Sequence, residues 1–327
     1  MPDAPRGRVA LAFAIVYVFW GSTYLGIKYA VETMPPVFMA AVRFLVAGAI
    51  VYVWARSRGH AAPRLIHWRS AAVVGGLLMG ANAGVAIAEL RIPSGVAALI
   101  VATSAIWFVL FEWLRPDGKR PTAGVVAGLV VGLAGVAVLI GPGGLIGGPS
   151  MDVVGVTIVL VGTLMWVAGS MFARYSPRPE SAFMTTASQM LAGGAILLVA
   201  SIVTGDAARF SWSAVSSTSL WALVYLIIFG SLIGYSAYVY LLVVSTPAKV
   251  STYAYVNPMV AVFLGWAIAD EPLSPRVLVA SAIILGAVAL ITSAEVRRPP
   301  ATPTNPREGI DEMIRRHTDE MPVPEGV

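Results

Sequence analysis

Asn82, Thr103, Ser104 and Asn257 each fall near the middle of a long apolar stretch. Polar groups at such depth need partners, and in a membrane they usually face a bundle interior or a water-filled cavity. Asn257 is followed by Pro258. Proline removes a backbone donor and frees a carbonyl one turn earlier, near Ala254. The pair is therefore expected to bend or break its helix and present polar backbone to a solute; the other reading is an interhelical hydrogen bond with a packing kink. Trp20, Trp107 and Trp166 lie deeper in their stretches than the interfacial positions that Trp usually takes. A deep indole can wall a cavity and offer an N–H to an amphipathic solute, or pack between helices. Two charges remain. Glu89 sits near the end of its stretch, and Arg43 lies roughly two turns into its own from the same side. A lone charge at the bilayer centre costs ~3 kcal/mol or more, so each needs water or a partner. Either Arg43 and Glu89 pair across a vestibule, or Glu89 carries a coupling proton.

Other chemistries find no support. The chain has no cysteine, which removes disulfides, thiolate ligands and thiol nucleophiles. His60 and His67 fall in one basic loop and His317 in the tail, with no metal-site spacing. The run GPGGLIGG (141–148) lacks the Lys-Ser/Thr of a phosphate-binding loop. No nucleophile–base pair suggests an enzyme, and no cofactor is implied. Glu112 has Arg115 three residues on, the spacing of an interfacial ion pair.

These residues are carried by unusually apolar sequence. The 327 residues are 57% hydrophobic and 12% charged, about half the charge of a soluble domain. A helix needs about 20 apolar residues to cross the hydrocarbon. Ten stretches qualify: 9–30, 36–55, 69–90, 94–114, 122–141, 153–173, 181–204, 219–244, 250–269 and 275–294. Pro, Gly or charge separates each from the next. The first is too long for a signal-peptide core and reads as a retained helix. Residues 1–8 form a short tail, and 295–327, rich in Pro and mixed in charge, read as a disordered tail with a short helix around 308–317.

Ten spans put both termini on one side. Of the 22 Lys and Arg, 17 then fall on that side and Lys28, Arg91, Arg209 and Arg276 on the other, with Arg43 inside a span. The termini are expected to be cytoplasmic. The formal charge of +5 is spread over helix ends instead of gathered in one patch, so no nucleic-acid partner is expected.

The two halves resemble each other. At a shift of 146, Trp20 meets Trp166, Lys28 meets Arg174, and RFLVAGAI (43–50) lies on QMLAGGAI (189–196). At 154, Pro93 meets Pro247, Pro121 meets Pro275 and Gly132 meets Gly286. Five spans per copy is an odd number, so the second copy must enter from the opposite face. The expected fold is all-α integral membrane: ten transmembrane helices as two inverted five-helix repeats, 9–141 and 153–294. Such repeats place a solute site near the midplane between the halves. Gly124, Gly128 and Gly132 form a small face for close helix packing, within the repeat or in a dimer.

Three segments carry a family resemblance: FWGSTYLGIKYAVETMPPVFMAAVRFLVAGAI (19–50), NAGVAIAELRIPSGVAALIVATSAIW (82–107) and AKVSTYAYVNPMVAVFLGWAIADEPLS (248–274). The chain resembles the EamA-like branch of the drug/metabolite transporter superfamily. The resemblance implies two inverted five-helix repeats, cytoplasmic termini, and export of small organic metabolites such as amino acids. It further implies a central cavity framed by helices one, three, four, six, eight and nine. The chain departs from the family at Ala105, where a proline often precedes the hydrophobic-Trp pair, which leaves a kink there open. The expected solute site comprises Trp20, Tyr24, Asn82, Ser104, Trp107, Trp166, Tyr253 and Asn257, with Glu89 and Arg43 as coupling or vestibule charges. A secondary transporter of the inner membrane, working by alternating access with or without proton coupling, is the leading function. A membrane sensor or scaffold without transport, and an intramembrane enzyme, are the alternatives.

Overall fold

Helix starts fall on residues that lack an amide or cap one. Pro36 opens α2 (Pro36–Ser57) and Pro275 opens α10 (Pro275–Val296), while Pro93 precedes α4 (Ser94–Trp113). Asp152 caps α6 (Val153–Tyr175), its carboxylate accepting from the Gly155 amide at 2.8 Å. Ser181 and Ser216 do the same for α7 (Ala182–Val203) and α8 (Ser217–Leu241). His67 Nδ1 accepts the Arg64 amide at the start of α3 (Leu65–Ala88), so this histidine is a cap. The remaining helices are α1 (Arg6–Val31), α5 (Ala123–Ile140) and α9 (Tyr253–Ala269). This computed structural model describes residues 5–114, 123–140, 152–245, 250 and 252–296. Among the described residues there is no strand. Among the described residues seven helices, α1 to α4 and α6 to α8, are long and apolar enough to cross a membrane, and α5, α9 and α10 carry shorter apolar stretches, Ala123–Leu139, Val256–Ala269 and Pro275–Leu290. Arg115, the expected partner of Glu112, and the tail helix around 308–317 lie outside the described residues.

Three helices are irregular. α1 contains a π-helical turn at Val16–Trp20 and α8 another at Leu226–Ile233. Such turns leave a carbonyl without its usual intrahelical donor. α4 is interrupted at Thr103, whose hydroxyl donates back to the Ile100 carbonyl at 2.6 Å. A Thr side chain bonded to its own helix bends it, so the kink exists without a proline at 105. At Asn257-Pro258 the expected break is absent. α9 runs through Pro258 from Tyr253 to Ala269. Pro258 lacks the amide that would bond the Ala254 carbonyl, yet the helix continues past it.

The helices meet at very small separations. Gly75 of α3 faces Gly193 of α7: a Cβ on Gly75 would lie 2.2 Å from the Gln189 carbonyl oxygen, and one on Gly193 would lie 2.4 Å from that of Gly75. In α5, a Cβ on Gly132 would strike Ile106 of α4 at 2.3 Å and meet Ala287 of α10 at 3.4 Å. The glycine face of α5 therefore packs inside the chain. The larger apolar core gathers at the end of the bundle that carries Lys28, Glu89 and Glu271, with Ile27, Met39, Leu99, Val156 and Leu226 among its buried members. A smaller cluster of Ala12, Val16, Ala237 and Leu241 lies toward the other end. Trp54, Trp113, Trp212, Trp221 and Trp266 are exposed, as interfacial tryptophans are.

Candidate functional site

Three of the expected residues come together as an aromatic cluster, joined by one the sequence reading overlooked. The Trp20 ring lies 5.1 Å from Tyr238 of α8 and 5.3 Å, edge-on, from Tyr253 of α9. Tyr238 and Tyr253 are 5.9 Å apart and near-perpendicular. Tyr24, one turn beyond Trp20 on α1, lies within electrostatic reach of both Tyr253 and Glu89. The Trp20 indole N–H donates to the Gly230 carbonyl at 3.1 Å, joining the π-helical turn of α8 to that of α1. Tyr238 was invisible to a search for deep Trp and Asn because tyrosine is common near helix ends; its only signal was periodicity with Tyr235 on the same strip of α8.

The polar residues divide into two groups. Asn82 donates to the Leu78 carbonyl of its own helix at 3.0 Å. Ser104 opens the second half of α4, immediately after the interruption, and Trp166 is partly buried on α6. By contrast, Asn257 Oδ1, Trp107 Nε1 and both carboxylate oxygens of Glu89 are buried without a hydrogen-bond partner. Leaving such a group unsatisfied costs ~1–3 kcal/mol, more when it is charged. Native structures rarely keep several of them unless something else satisfies them during function.

The expected pairing of Arg43 with Glu89 does not occur. Arg43 is buried on α2 and directs Nε to the Ser231 hydroxyl of α8 at 3.1 Å, with its guanidinium carbon 5.0 Å from the Phe44 ring centroid. The reason is rotational: Arg43 occupies the strip of α2 that faces the π-helical turn of α8, while Glu89 caps the end of α3.

An ionic tie that the sequence reading missed stands beside Glu89. Lys28 Nζ donates to Glu271 Oε1 at 2.8 Å. The same carboxylate accepts the first two amides of α4, from Ser94 at 2.8 Å and Gly95 at 3.2 Å. Asp270, at φ 51°, makes the left-handed turn that ends α9 and aims Glu271 inward. Gly265 leaves it room, since a Cβ there would be 2.3 Å from Glu271 Oε2. The signal available was a lysine and a glutamate of opposite sign at one end of the bundle. Burial pushes the Glu271 carboxyl up, but Lys28 and the Ser94 and Gly95 amides outweigh it and hold it below the ordinary carboxylate range. A depressed folded-state pKa stabilises above the unfolded value and is lost as pH falls through the folded one. The difference in thermal stability between the parent and Glu271→Gln should thus be constant at neutral pH and shrink only in acid, below about pH 4. A gap that closes already near pH 6 would contradict the tie.

A second remote carboxylate works similarly. Asp206 accepts the Val37 and Phe38 amides at the start of α2, both at 3.0 Å, and pairs with Arg209. Two apolar grooves open on the flanks, about 540 Å³ between α3, α6 and α7 and about 570 Å³ between α1, α8 and α9. None of the ten candidate residues lines either groove.

Comparison with known proteins decides the family. The sequence model of the EamA-like transporter family matches twice, at residues 7–141 and 153–293. The chain belongs to the EamA-like transporter family. It is thus a multi-pass membrane protein of a family that moves small solutes. An Escherichia coli K12 protein described as an uncharacterized inner membrane transporter, YedA, is 38% identical over 284 residues, covering 86% of this EamA-like chain and 89% of YedA. The uncharacterized transporter YvbV of Bacillus subtilis is 25% identical over 294 residues, 90% of this chain and 94% of its own. A probable amino-acid metabolite efflux pump of E. coli K12 is 24% identical over 293 residues, 85% of this chain and 90% of its own. A solved crystal structure at 22% identity superposes with a TM-score of 0.58 over 90% of this chain and all of its own, a likeness of fold alone.

Proposed function

We propose that this chain is a secondary transporter that exports small organic metabolites such as amino acids across the inner membrane by alternating access. The observation that carries the reading is the set of buried polar atoms on α3, α4 and α9 that the protein itself leaves unsatisfied, beside an aromatic cluster from α1, α8 and α9. Aromatic walls hold the apolar body of a solute. Asn257 and Trp107 orient its polar end. The name of the efflux-pump relative agrees with export and with amino-acid metabolites.

The architecture in this reading is two inverted repeats, 9–141 and 153–294, of five transmembrane helices each. The double family match and the sequence shifts support it. So does the placement of the grooves: α3 with α6 and α8 with α1 are equivalent pairs under the duplication. The tie of Lys28, Glu271 and the start of α4 closes the non-cytoplasmic end, and the repeats rock about the site to release it.

Both termini are cytoplasmic in this arrangement. The natural lack of cysteine allows a direct check. A single cysteine at Ser213, in the exposed connection between α7 and α8, should react with an impermeant thiol reagent in intact cells, and one at His60 should not. The reverse labelling would overturn the orientation. Transport itself is tested by loading proteoliposomes with a panel of labelled amino acids and amines and comparing the parent with Asn257→Ala.

A further inference from the structure

We propose that Glu89 is the subsite for a protonated amine, and that the solutes this protein carries are organic ammonium compounds with an apolar or aromatic body. The inference rests on the transport reading above and names the substrate class of that same site.

Four observations carry it. First, Glu89 is 7% exposed and both its carboxylate oxygens are buried without a partner. A buried carboxyl group either holds a proton or is met by a cation or hydrogen-bond donors, and a bound ammonium group supplies both positive charge and donors. Second, Glu89 is the C-cap of α3. The C-terminal end of a helix carries partial negative charge, so the helix itself repels the carboxylate and raises the demand for a positive partner. Third, among the described residues Lys28, Arg43 and Arg91 are committed elsewhere, Arg91 to Asp152 at 3.0 Å. Lys28 is close enough to feel Glu89, yet it is held by Glu271 at 2.8 Å. Glu271 is in turn fixed by the Ser94 and Gly95 amides. Arg43 is turned to Ser231. Fourth, Tyr24, one turn before Lys28 on α1, lies within electrostatic reach of both Glu89 and Tyr253, and the Tyr253 ring belongs to the cluster with Trp20 and Tyr238. A carboxylate on the same side of the bundle as such rings suits an ammonium group, whose charge the carboxylate balances and whose remaining surface the rings attract.

The third observation has a consequence that a simple charge requirement lacks. Glu271 keeps Lys28 away from Glu89. Loss of the Glu271 charge should free Lys28 to pair with Glu89 and so displace the solute's amine, although Glu271 itself never touches the solute.

The test uses the full chain in lipid nanodiscs with equilibrium binding of labelled 2-phenylethylamine, competed by unlabelled amine or by the neutral isostere 2-phenylethanol. In the parent, the amine should compete at least tenfold better than the alcohol. Glu89→Gln should weaken amine binding tenfold or more, and Glu89→Asp, which keeps the charge, should retain most of it. Glu271→Gln should weaken amine binding by a similar factor, and the double variant Lys28→Gln/Glu271→Gln should restore it. Equal competition by the alcohol would overturn the amine class. Amine binding unchanged in Glu89→Gln would overturn the subsite and make Glu89 a proton carrier or a structural group only. Failure of the double variant to recover, in a monodisperse sample, would overturn the role given to Lys28 and Glu271. If none of these probes binds while proteoliposomes still transport another solute in an Asn257-dependent way, the amine inference falls and the transporter reading stands. If no solute on the panel is transported or bound, the transporter reading is the one that fails.

Discussion

Gly75→Ala should sharply reduce the yield of folded protein, while Gly286→Ala should leave it unchanged or raise it slightly. Both residues are helical, so both substitutions gain the same intrinsic preference of alanine over glycine, about 1 kcal/mol. The surroundings differ. Nothing lies within 4 Å of a Cβ built on Gly286. On Gly75 the new methyl would sit 2.2 Å from the Gln189 carbonyl oxygen and 2.8 Å from the Gly193 amide nitrogen. Those are backbone atoms of α7, which cannot rotate away as a side chain can, so the helices themselves must part. Overpacking of this kind typically costs 1–3 kcal/mol. Here it also disturbs one of the close contacts between the two halves of the chain. The yield of monodisperse protein after extraction, and its thermal midpoint, measure the effect. A Gly75→Ala variant as stable as the parent would mean that α3 and α7 are farther apart than described.

How much of this was readable beforehand follows from what each signal encodes. Helix placement was legible because a membrane demands long apolar runs and because Pro36, Pro93 and Pro275 mark helix starts at the residue. Rotation about each helix axis was not, since helices apolar all round carry no amphipathic stripe to orient them. That is why Arg43 and Glu89 were set facing each other when Arg43 faces Ser231. Long-range partners were equally hidden. Glu271 reaches Lys28 only because the left-handed Asp270 and the bare Gly265 let its carboxylate fold back over α4. The kink in α4 went the other way: the family's usual proline is missing, and Thr103 produces the bend by a side-chain bond that a motif search does not score. Proline at 258 does not break its helix, because the loss of one amide is absorbed within α9, which runs from Tyr253 to Ala269.

The sharpest functional result expected is that removing the Trp107 indole N–H and the Asn257 amide cripples transport per folded molecule. Trp107→Phe deletes the indole N–H and keeps an aromatic ring. Asn257→Ala deletes the amide. In the structure Trp107 Nε1 and Asn257 Oδ1 are buried and bonded to nothing in the protein. Their deletion therefore breaks no hydrogen bond that these atoms make within the protein, and it relieves desolvation penalties of ~1–3 kcal/mol. If these atoms serve only packing, the variants should transport normally per folded molecule. If they bind solute, each loses a hydrogen bond worth about 1 kcal/mol or somewhat more. Transport at low substrate should then fall about five- to tenfold in each variant. In the double variant it should fall by roughly the product of the two, because the atoms sit on different helices, α4 and α9, and contact the solute separately. Initial rates in proteoliposomes, normalised to protein shown to be folded by thermal unfolding of the same preparations, separate these cases. Parental rates in both single variants at equal abundance would place the solute elsewhere, and would reduce Trp107 and Asn257 to residues of the helix packing.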